Sequence, residues 1–261
     1  MTAQRQPALF LGHGSPMNAL EDSPLTRSWT EIGRKLVRPR AVLCVSAHWE
    51  TKGVLITGAE QPRTIHDFYG FPKALYEMSY PAPGDPELAK AIETRLAAFR
   101  ARVDLDGWGF DHGTWSVLRF VFPQADVPVL QLSLDIRRNP AQHYEVGKAL
   151  AGLRDEGVLI VGTGNIVHNL RLYDPRLTGP LPWAQTFDDL VAEKIEAGDH
   201  HALVDYMHLG PEACLAIPEP DHYLPLLYVL ATRGADEPVS LFNRQVVASL
   251  SMTSVAVGLA A

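Results

Sequence analysis

Val158-Leu159-Ile160-Val161-Gly162 is the stretch that decides the fold of this chain. A short apolar run that ends in glycine predicts a buried strand. Downstream, Thr163-Gly164-Asn165-Ile166-Val167 leads to His168. In an open α/β sheet, ligands bind outside the carboxyl ends of the strands, so His168 is expected close to such an end.

Two other apolar runs of this kind also lead into a histidine. Residues 8–12 (ALFLG) run into His13, and the run that ends at Ala47 leads into His48. If all three runs are strands of one sheet, their carboxyl ends deliver three imidazoles to one crevice. Imidazole is the commonest metal-ligating side chain, and it titrates nearest to neutral pH. The pattern therefore predicts a metal-dependent enzyme.

Strand patterns alternate with helix patterns along the rest of the chain. Strands are predicted over residues 7–12, 41–47, 53–58, 127–133, 157–162, 238–243 and 246–257. Helices are predicted over residues 24–37, 85–99, 114–121, 140–154, 183–197, 199–207, 211–216 and 222–232. Residues 41–47 and 53–58 are expected to form a hairpin. The predicted fold class is α/β: a single domain, residues 1–261, with a central mixed β-sheet flanked by helices.

Bulk composition narrows the classes of function. The chain has 261 residues, of which 46% are hydrophobic and 20% charged, and its formal net charge is −7. Without a basic stripe, binding to nucleic acid is not expected. No run reaches the roughly 18 apolar residues of a membrane span. Two cysteines are too few for a disulfide-stapled secreted scaffold, so a cytoplasmic protein is expected, as a monomer or small homo-oligomer.

Each candidate histidine also has an ordinary structural explanation. His13 lies between two glycines and fits a tight turn, His48 fits a strand end, and His222 fits a helix start on the surface. His112 lies in another glycine-flanked turn at a helix start. A functional explanation requires that several of them converge, because none shows short-range metal-ligand spacing such as H-E-x-x-H.

Two further residues are candidate substrate contacts. His66 lies in an aromatic loop that could form a wall of a pocket, and Asn165 is expected to face the same crevice as His168. The glycines before His168 do not make a dinucleotide-binding loop, because Val167 stands where G-x-G-x-x-G needs its third glycine. Ser15 is not a hydrolase nucleophile of the G-x-S-x-G type, since Pro16 follows it directly.

Six segments together resemble the DODA-type extradiol ring-cleavage dioxygenases of the class III, LigB-like superfamily. The resemblance extends from about residue 8 to about residue 256. It is specific for the family and much less specific for the substrate. The segments are residues 12–16 (GHGSP), 46–50 (SAHWE), 66–72 (HDFYGFP), 111–115 (DHGTW), 162–169 (GTGNIVHN) and 221–223 (DHY).

The resemblance implies a role for each of five histidines. His13, His48 and His222 correspond to metal ligands. His168 corresponds to a histidine close to the metal, either a fourth ligand or the catalytic acid and base, for which a pKa near neutrality is expected. His112 corresponds to a residue lining the substrate and oxygen pocket, where it would hydrogen-bond dioxygen or a developing oxyanion.

The implied reaction is the O₂-dependent ring opening of a small catechol such as DOPA, with Fe(II) as the working metal. A site of three or four histidines also binds Zn(II) well, so a purified sample is expected to hold zinc in the resting state. Two alternatives remain open at this point. One is a zinc-dependent hydrolase with His168 or Glu50 as base, and the other is a non-catalytic binding protein on the same fold.

Overall fold

The chain folds around one mixed sheet, seen in a computed structural model that describes residues 5–105 and 107–259. Residues 1–4, 106 and 260–261 of the predicted domain lie outside the described residues. The strands are β1 Ala8–Gly12, β2 Ala41–Thr51, β3 Leu55–Thr57, β4 Arg102–Asp104, β5 Val129–Asp135, β6 Val158–Gly164, β7 Val239–Phe242, β8 Val246–Val247, β9 Leu250–Ser251 and β10 Ser254–Val257.

The helices largely follow the predicted positions. They are α1 Pro24–Lys35, α2 Lys73–Tyr76, α3 Pro86–Arg95, α4 His112–Val121, α5 Pro140–Leu150, α6 Pro182–Ala197, α7 His200–Val204, α8 Ala213–Ala216 and α9 Leu224–Ala231. Predicted caps are present: the side chains of Ser23, Asp85 and Asn139 each accept a hydrogen bond from a first-turn amide. Among the described residues, none of these helices has the length and apolar character needed to cross a bilayer.

The strand order across the main sheet explains why the histidines meet. Within the described residues, the order is β4-β3-β5-β2-β6-β1-β10-β7. The four neighbours β5, β2, β6 and β1 are parallel, so their carboxyl ends lie at one edge of the sheet. β10 is antiparallel to β1, which confirms the predicted mixed sheet.

Helices cover both faces of the sheet, as the apolar strands require. One face packs Phe10, Leu43 and Ile160 against helices that include α5, α6 and α9. The other face packs Leu9 and Val161 against a group that includes residues of α1 and α4. The α/β prediction is confirmed, and the central strands are held rigidly from both sides.

The predicted hairpin between residues 41–47 and 53–58 is wrong. β2 pairs with β5 and β6, whereas β3 pairs with β5 and β4. β5 therefore lies between the two segments that were expected to be neighbours. The physical reason is burial. The first seven residues of β2 are buried, so this strand lies in the middle of the sheet and both of its edges pair with parallel strands from distant segments. β2 also continues to Thr51, which leaves few residues for a hairpin turn before β3.

The single closing strand predicted over residues 246–257 is also wrong. This segment forms β8 and β9, which make a small antiparallel sheet of their own, and then β10 in the main sheet. The break occurs at Ala248, which has a positive φ of 50° and donates its backbone N–H to the Gly179 carbonyl. The fold brings this segment beside the carboxyl ends of the central strands.

Candidate metal centre

His13 and His48 face each other at the carboxyl edge of the sheet. His13 follows β1 directly, and its backbone N–H donates to the Gly164 carbonyl of β6. His48 lies in β2 at a register shift between Val45 and Glu50, where pairing with β5 is interrupted. The Nε2 atoms of the two rings are 3.0 Å apart. Two nitrogens that bind one tetrahedral ion at about 2.1 Å are separated by a similar distance, about 3.4 Å.

His112 is held by a carboxylate from the aromatic loop. It is the first residue of α4, and Asp67 accepts hydrogen bonds from both its backbone N–H (2.8 Å) and its Nδ1 (3.0 Å). A carboxylate accepts only, so Nδ1 carries the proton and Nε2 of the neutral ring carries a lone pair. This Nε2 suits a metal ligand. The predicted donor role for His112 therefore requires a protonated ring.

His168 and His222 form a stacked pair beside these rings. Their ring centroids are 3.4 Å apart, and their planes differ by 4°. The backbone N–H of His168 donates to the Ala216 carbonyl, which fixes the loop after β6. Asp221 accepts a hydrogen bond from Nδ1 of His222 at 2.9 Å, which leaves Nε2 of that ring for a metal.

The five imidazoles form one cluster. The rings of His48 and His112 are 3.9 Å apart, and His222 lies 4.9 Å from His48 and 5.3 Å from His13. Ligand nitrogens of His13, His48 and His112 all lie within 4.8 Å of one another. The convergence predicted for His13, His48, His168 and His222 is thus present, and His112 joins them as a candidate ligand.

Burial favours the neutral form of three of the five imidazoles, those of His13, His48 and His168. Burial, with the neighbouring His222, lowers the pKa of His13 well below its usual value, and burial with His112 does the same for His48. Burial and His222 lower the pKa of His168 to about 3. The expectation of a near-neutral pKa for His168 is therefore wrong, because burial of its ring in the loop after β6 disfavours the protonated form.

The donor set fits a divalent cation. Neutral imidazole is the form that ligates metals. Nδ1 of His13 is buried without a hydrogen-bond partner among the described residues, and its Nε2 meets another imidazole nitrogen. Between two neutral rings, one of the facing Nε2 atoms must carry a proton and donate it to the other. A cation placed between the rings would instead accept the lone pairs of both Nε2 atoms. A nearby carboxylate also orients each of His112 and His222, as is common for metal-ligating histidines.

The cluster forms the floor of a cavity of about 450 Å³. Most of the remaining wall is apolar or aromatic, which suits a planar ring above the imidazoles. The lining beyond the five histidines consists of Gly14, Ser15, Pro16, Asp67, Phe68, Phe71, Leu170, Tyr173 and Leu250.

The two predicted substrate contacts lie outside this lining. His66 packs edge-on against Phe68, and its Nε2 contacts the Met78 carbonyl at 3.0 Å. Asn165 is buried under the site and donates its side-chain N–H to the Ser251 carbonyl at 2.6 Å. Both therefore support residues of the wall rather than forming it.

Sequence reasoning missed the carboxylates that orient the cluster. Asp67 and Asp221 each stand next to a histidine in the sequence, at His66 and His222, and only the fold shows which imidazole each of them binds. A third carboxylate, Asp111, caps α4 and accepts from the hydroxyl of Ser46 on β2 at 2.7 Å. Asp stands beside His at four places, residues 66–67, 111–112, 199–200 and 221–222, so this pattern alone did not separate the carboxylates of the site from Asp199.

Comparisons with known proteins identify the family of this chain. The family model described as the catalytic LigB subunit of aromatic ring-opening dioxygenase matches residues 7–260. A relative from Escherichia coli (strain K12), named 4,5-DOPA dioxygenase extradiol, is 48% identical and aligns over 99% of this chain and 97% of its own length. A Beta vulgaris protein of the same name is 37% identical over 90% of this chain and 89% of its own.

A solved structure has the same fold as this chain. It is the crystal structure of an uncharacterized protein from Escherichia coli K12, with a TM-score of 0.85 and 44% sequence identity. The match covers 97% of this chain and 100% of that one. By its sequence and its fold, the chain belongs to the LigB family of aromatic ring-opening dioxygenases.

Proposed function

We propose that this chain is an extradiol dioxygenase that opens the ring of a small catechol with O₂. The observation that carries the proposal is the convergence of five histidines on the floor of one mainly apolar cavity. The names of the relatives favour DOPA or a similar substituted catechol as the substrate. The aromatic wall matters for the proposal, because five histidines without it would indicate a metal site but not a site for an aromatic ring.

We propose that His13, His48 and His222 hold the working metal, with His168 at its edge. His112 is the alternative third ligand, because its nitrogen lies within the same short range of His13 and His48. When bound, Fe(II) supplies open coordination positions for catechol and O₂ and a redox chemistry that zinc lacks. Zinc is the expected occupant after purification in air, because the affinity order for first-row divalent ions favours it over Fe(II).

His168 is the proposed carrier of the substrate proton. Its neutral ring accepts a proton from a catechol hydroxyl as that oxygen becomes anionic, and the anion in turn raises the pKa of the ring. Once ring opening consumes this anion, the imidazole of His168 loses that stabilisation, and burial again favours its neutral form. It therefore returns the proton readily to oxygen on the opened ring.

Asp67 determines what His112 can do in the cavity. By accepting from Nδ1, it fixes the neutral ring with Nε2 unprotonated, and it stabilises the imidazolium if a second proton arrives. The first form is a ligand, and the second donates a hydrogen bond to a developing oxyanion. His66 and Asn165 are proposed to act indirectly, by holding Phe68 and the segment around Ser251 in place.

Oxygen consumption tests the proposed activity. The purified protein is stripped of metal, loaded anaerobically with Fe(II), and mixed with catechol or DOPA in an oxygen electrode. We expect stoichiometric O₂ uptake and a coloured ring-opened product, with neither from the zinc-loaded protein. Absence of uptake with every catechol tried contradicts the proposal. Ester or amide hydrolysis by the zinc-loaded protein without oxygen would favour the hydrolase instead.

Variants separate the proposed roles of the histidines. His222→Ala and His112→Ala are each loaded with zinc, and bound metal is counted after gel filtration. Loss of metal from His222→Ala alone supports His222 as the third ligand, and loss from His112→Ala alone supports His112. His168→Asn is expected to retain metal and to lose about 10²–10⁴-fold in kcat, as is typical when a general acid-base is removed.

A further inference from the structure

A second cavity adjoins the catechol cavity. It has a volume of about 530 Å³ and shares Ser15, Tyr173 and Leu250 with the first. We call this second cavity the annex; its own walls include Met17, Glu21, Leu25, Gln245 and Val247. The first cavity alone already exceeds what an unsubstituted catechol needs, so the annex offers room for a ring substituent.

The charged side chains that line the two cavities are acidic. Among the described residues that line them, the charged side chains are Asp67 and Glu21, and neither lining contains lysine or arginine. Asp67 is engaged by His112, whereas the Glu21 side chain has no ion pair or hydrogen bond within the described residues. Arg27, in the first turn of α1, is held by both carboxylate oxygens of Asp22. The annex therefore presents the carboxylate of Glu21 without an ion-pair partner in its own lining.

The walls match a short chain with a cationic end. Leu250 and Met252 are nearly buried, and Met17, Leu25 and Val247 are partly buried, so they offer apolar surface to methylene groups. Glu21 is exposed and accepts an ammonium without the cost of burying an unpaired charge. We propose that the annex binds a catechol substituent that ends in an ammonium group, with Glu21 as its counter-ion. This inference rests on the proposed function.

Four ligands test the annex by direct binding to the zinc-loaded protein. They are catechol, 4-propylcatechol, dopamine and dihydrocaffeate; the last three carry substituents of similar length with neutral, cationic and anionic ends. Calorimetry without oxygen gives each Kd. We expect dopamine to bind about two- to fivefold more tightly than dihydrocaffeate, the range of an exposed ion pair, with the preference shrinking in high salt.

Two charge-matched variants locate the source of that preference. Glu21→Gln is expected to remove most of the preference for dopamine, with 4-propylcatechol as the reference in the same protein. Glu31→Gln is the control, because it changes the net charge by the same amount. Glu31 lies on α1 about two turns past the residues that line the annex, so this variant is expected to keep the preference for dopamine. Equal loss in both variants, or no preference in the unmodified protein, would overturn the role of Glu21.

A space-filling variant tests the position of the substituent. Val247 lines the annex and not the first cavity, and an aromatic side chain is tolerated in a strand. Val247→Phe is expected to weaken 4-propylcatechol and dopamine more than catechol; circular dichroism and the melting temperature establish that it folds. Equal effects on the three ligands would overturn the annex, while activity on catechols would still stand. Binding of none of the four would overturn the proposed function as well.

Discussion

Asp67 sets the chemistry of the cluster through two hydrogen bonds to a single residue. It accepts from the backbone N–H and from Nδ1 of His112, and it also lies 3.7 Å from Nδ1 of His48. Burial on its own would raise the pKa of Asp67, but the contacts with His112 outweigh burial and lower it. The carboxylate therefore stays ionised and holds the His112 ring in one orientation and one tautomer.

Asp67→Asn tests this role without removing bulk. The amide can still accept from the backbone N–H of His112, but its NH₂ group can donate to Nδ1 and so favours the opposite tautomer. We expect a loss of about 10–100-fold in metal affinity or kcat, the usual effect of removing an orienting partner. Asp126→Asn, in a surface ion pair with Arg38, is the control and should change neither. An unchanged Asp67→Asn enzyme would contradict the role.

The identity of the site residues was more predictable than their electrostatics. The apolar run before His13 predicted a strand end correctly, since β1 ends at Gly12. The strand end predicted before His48 is wrong, because β2 continues to Thr51 and His48 lies at a register shift inside it. The pKa of His168 was not predictable, since it depends on burial and on His222, which is 54 positions away in the sequence. The pairing of Asp67 with His112 likewise exists only once the aromatic loop packs on α4.

Strand ends approach each other closely around the candidate metal centre because two glycines, Gly12 and Gly164, stand there. Gly164 ends β6 and pairs with Gly12 at the end of β1. A methyl group on Gly164 would overlap the His222 carbonyl, and one on Gly12 would lie 2.6 Å from the Met252 carbonyl. These contacts involve backbone atoms, which cannot rotate away. The absence of side chains therefore allows the loop with His222 to approach His13.

Gly164→Ala tests this close approach. We expect destabilisation of about 1–3 kcal/mol, as for overpacking in a core, and weaker metal binding because His222 must shift. Denaturant unfolding and zinc titration measure the two effects. Gly179→Ala is the control, since a methyl group there meets nothing within 4 Å. Unchanged stability and unchanged metal affinity in Gly164→Ala would show that the loop has room to move.

Prediction at the scale of elements succeeded where the local pattern was strong. Capped helices and apolar strands were found close to their true positions, but the partners of those strands were not. The run 53–58 contains β3, which pairs with the edge of β5 that faces away from β2. Its sequence does not show this partner, because sheet order is decided by packing among distant segments. The break at Ala248 also has no strong local signal, since alanine seldom adopts a positive φ.

The end of the sheet opposite the candidate metal centre is closed by an ion-pair cluster. Arg154 is fully buried and makes two hydrogen bonds of 2.7 Å to Glu237, which also accepts from Arg5. These residues precede β6, β7 and β1, so they tie together the amino ends of three strands. Burial would raise the pKa of Glu237, but the contacts with Arg154, Gly234 and Arg5 lower it to about 2.

Glu237→Gln is expected to change how stability depends on pH. A carboxylate whose pKa is lowered on folding stabilises the protein above its unfolded pKa of about 4.3, and this stability is lost as pH falls toward 2. The variant should lose about 1–3 kcal/mol at pH 7 and show a flatter dependence between pH 4.3 and 2. Urea unfolding across this range measures it; parallel curves for both proteins would contradict the assignment.

Metal removal should also be visible in the stability of the whole molecule. A ligand that binds only the folded state at about 100 times its Kd adds about 2.7 kcal/mol, which for a chain of this size raises Tm by about 5–10 °C. We expect chelation to lower Tm by that amount and zinc to restore it. His13→Ala should melt at the same temperature with or without zinc, whereas a zinc response in this variant would place the ion elsewhere.

The antiparallel insertion of β10 beside β1 has a consequence for how the protein is made. β1 precedes both of its sheet neighbours in the chain, since β6 begins at Val158 and β10 begins at Ser254. A nascent chain stalled before β10 would already carry all five imidazoles while the outer edge of β1 stayed open. The edge of β1 that β10 covers is therefore completed only by a segment that follows the last of the five histidines, His222, in the chain.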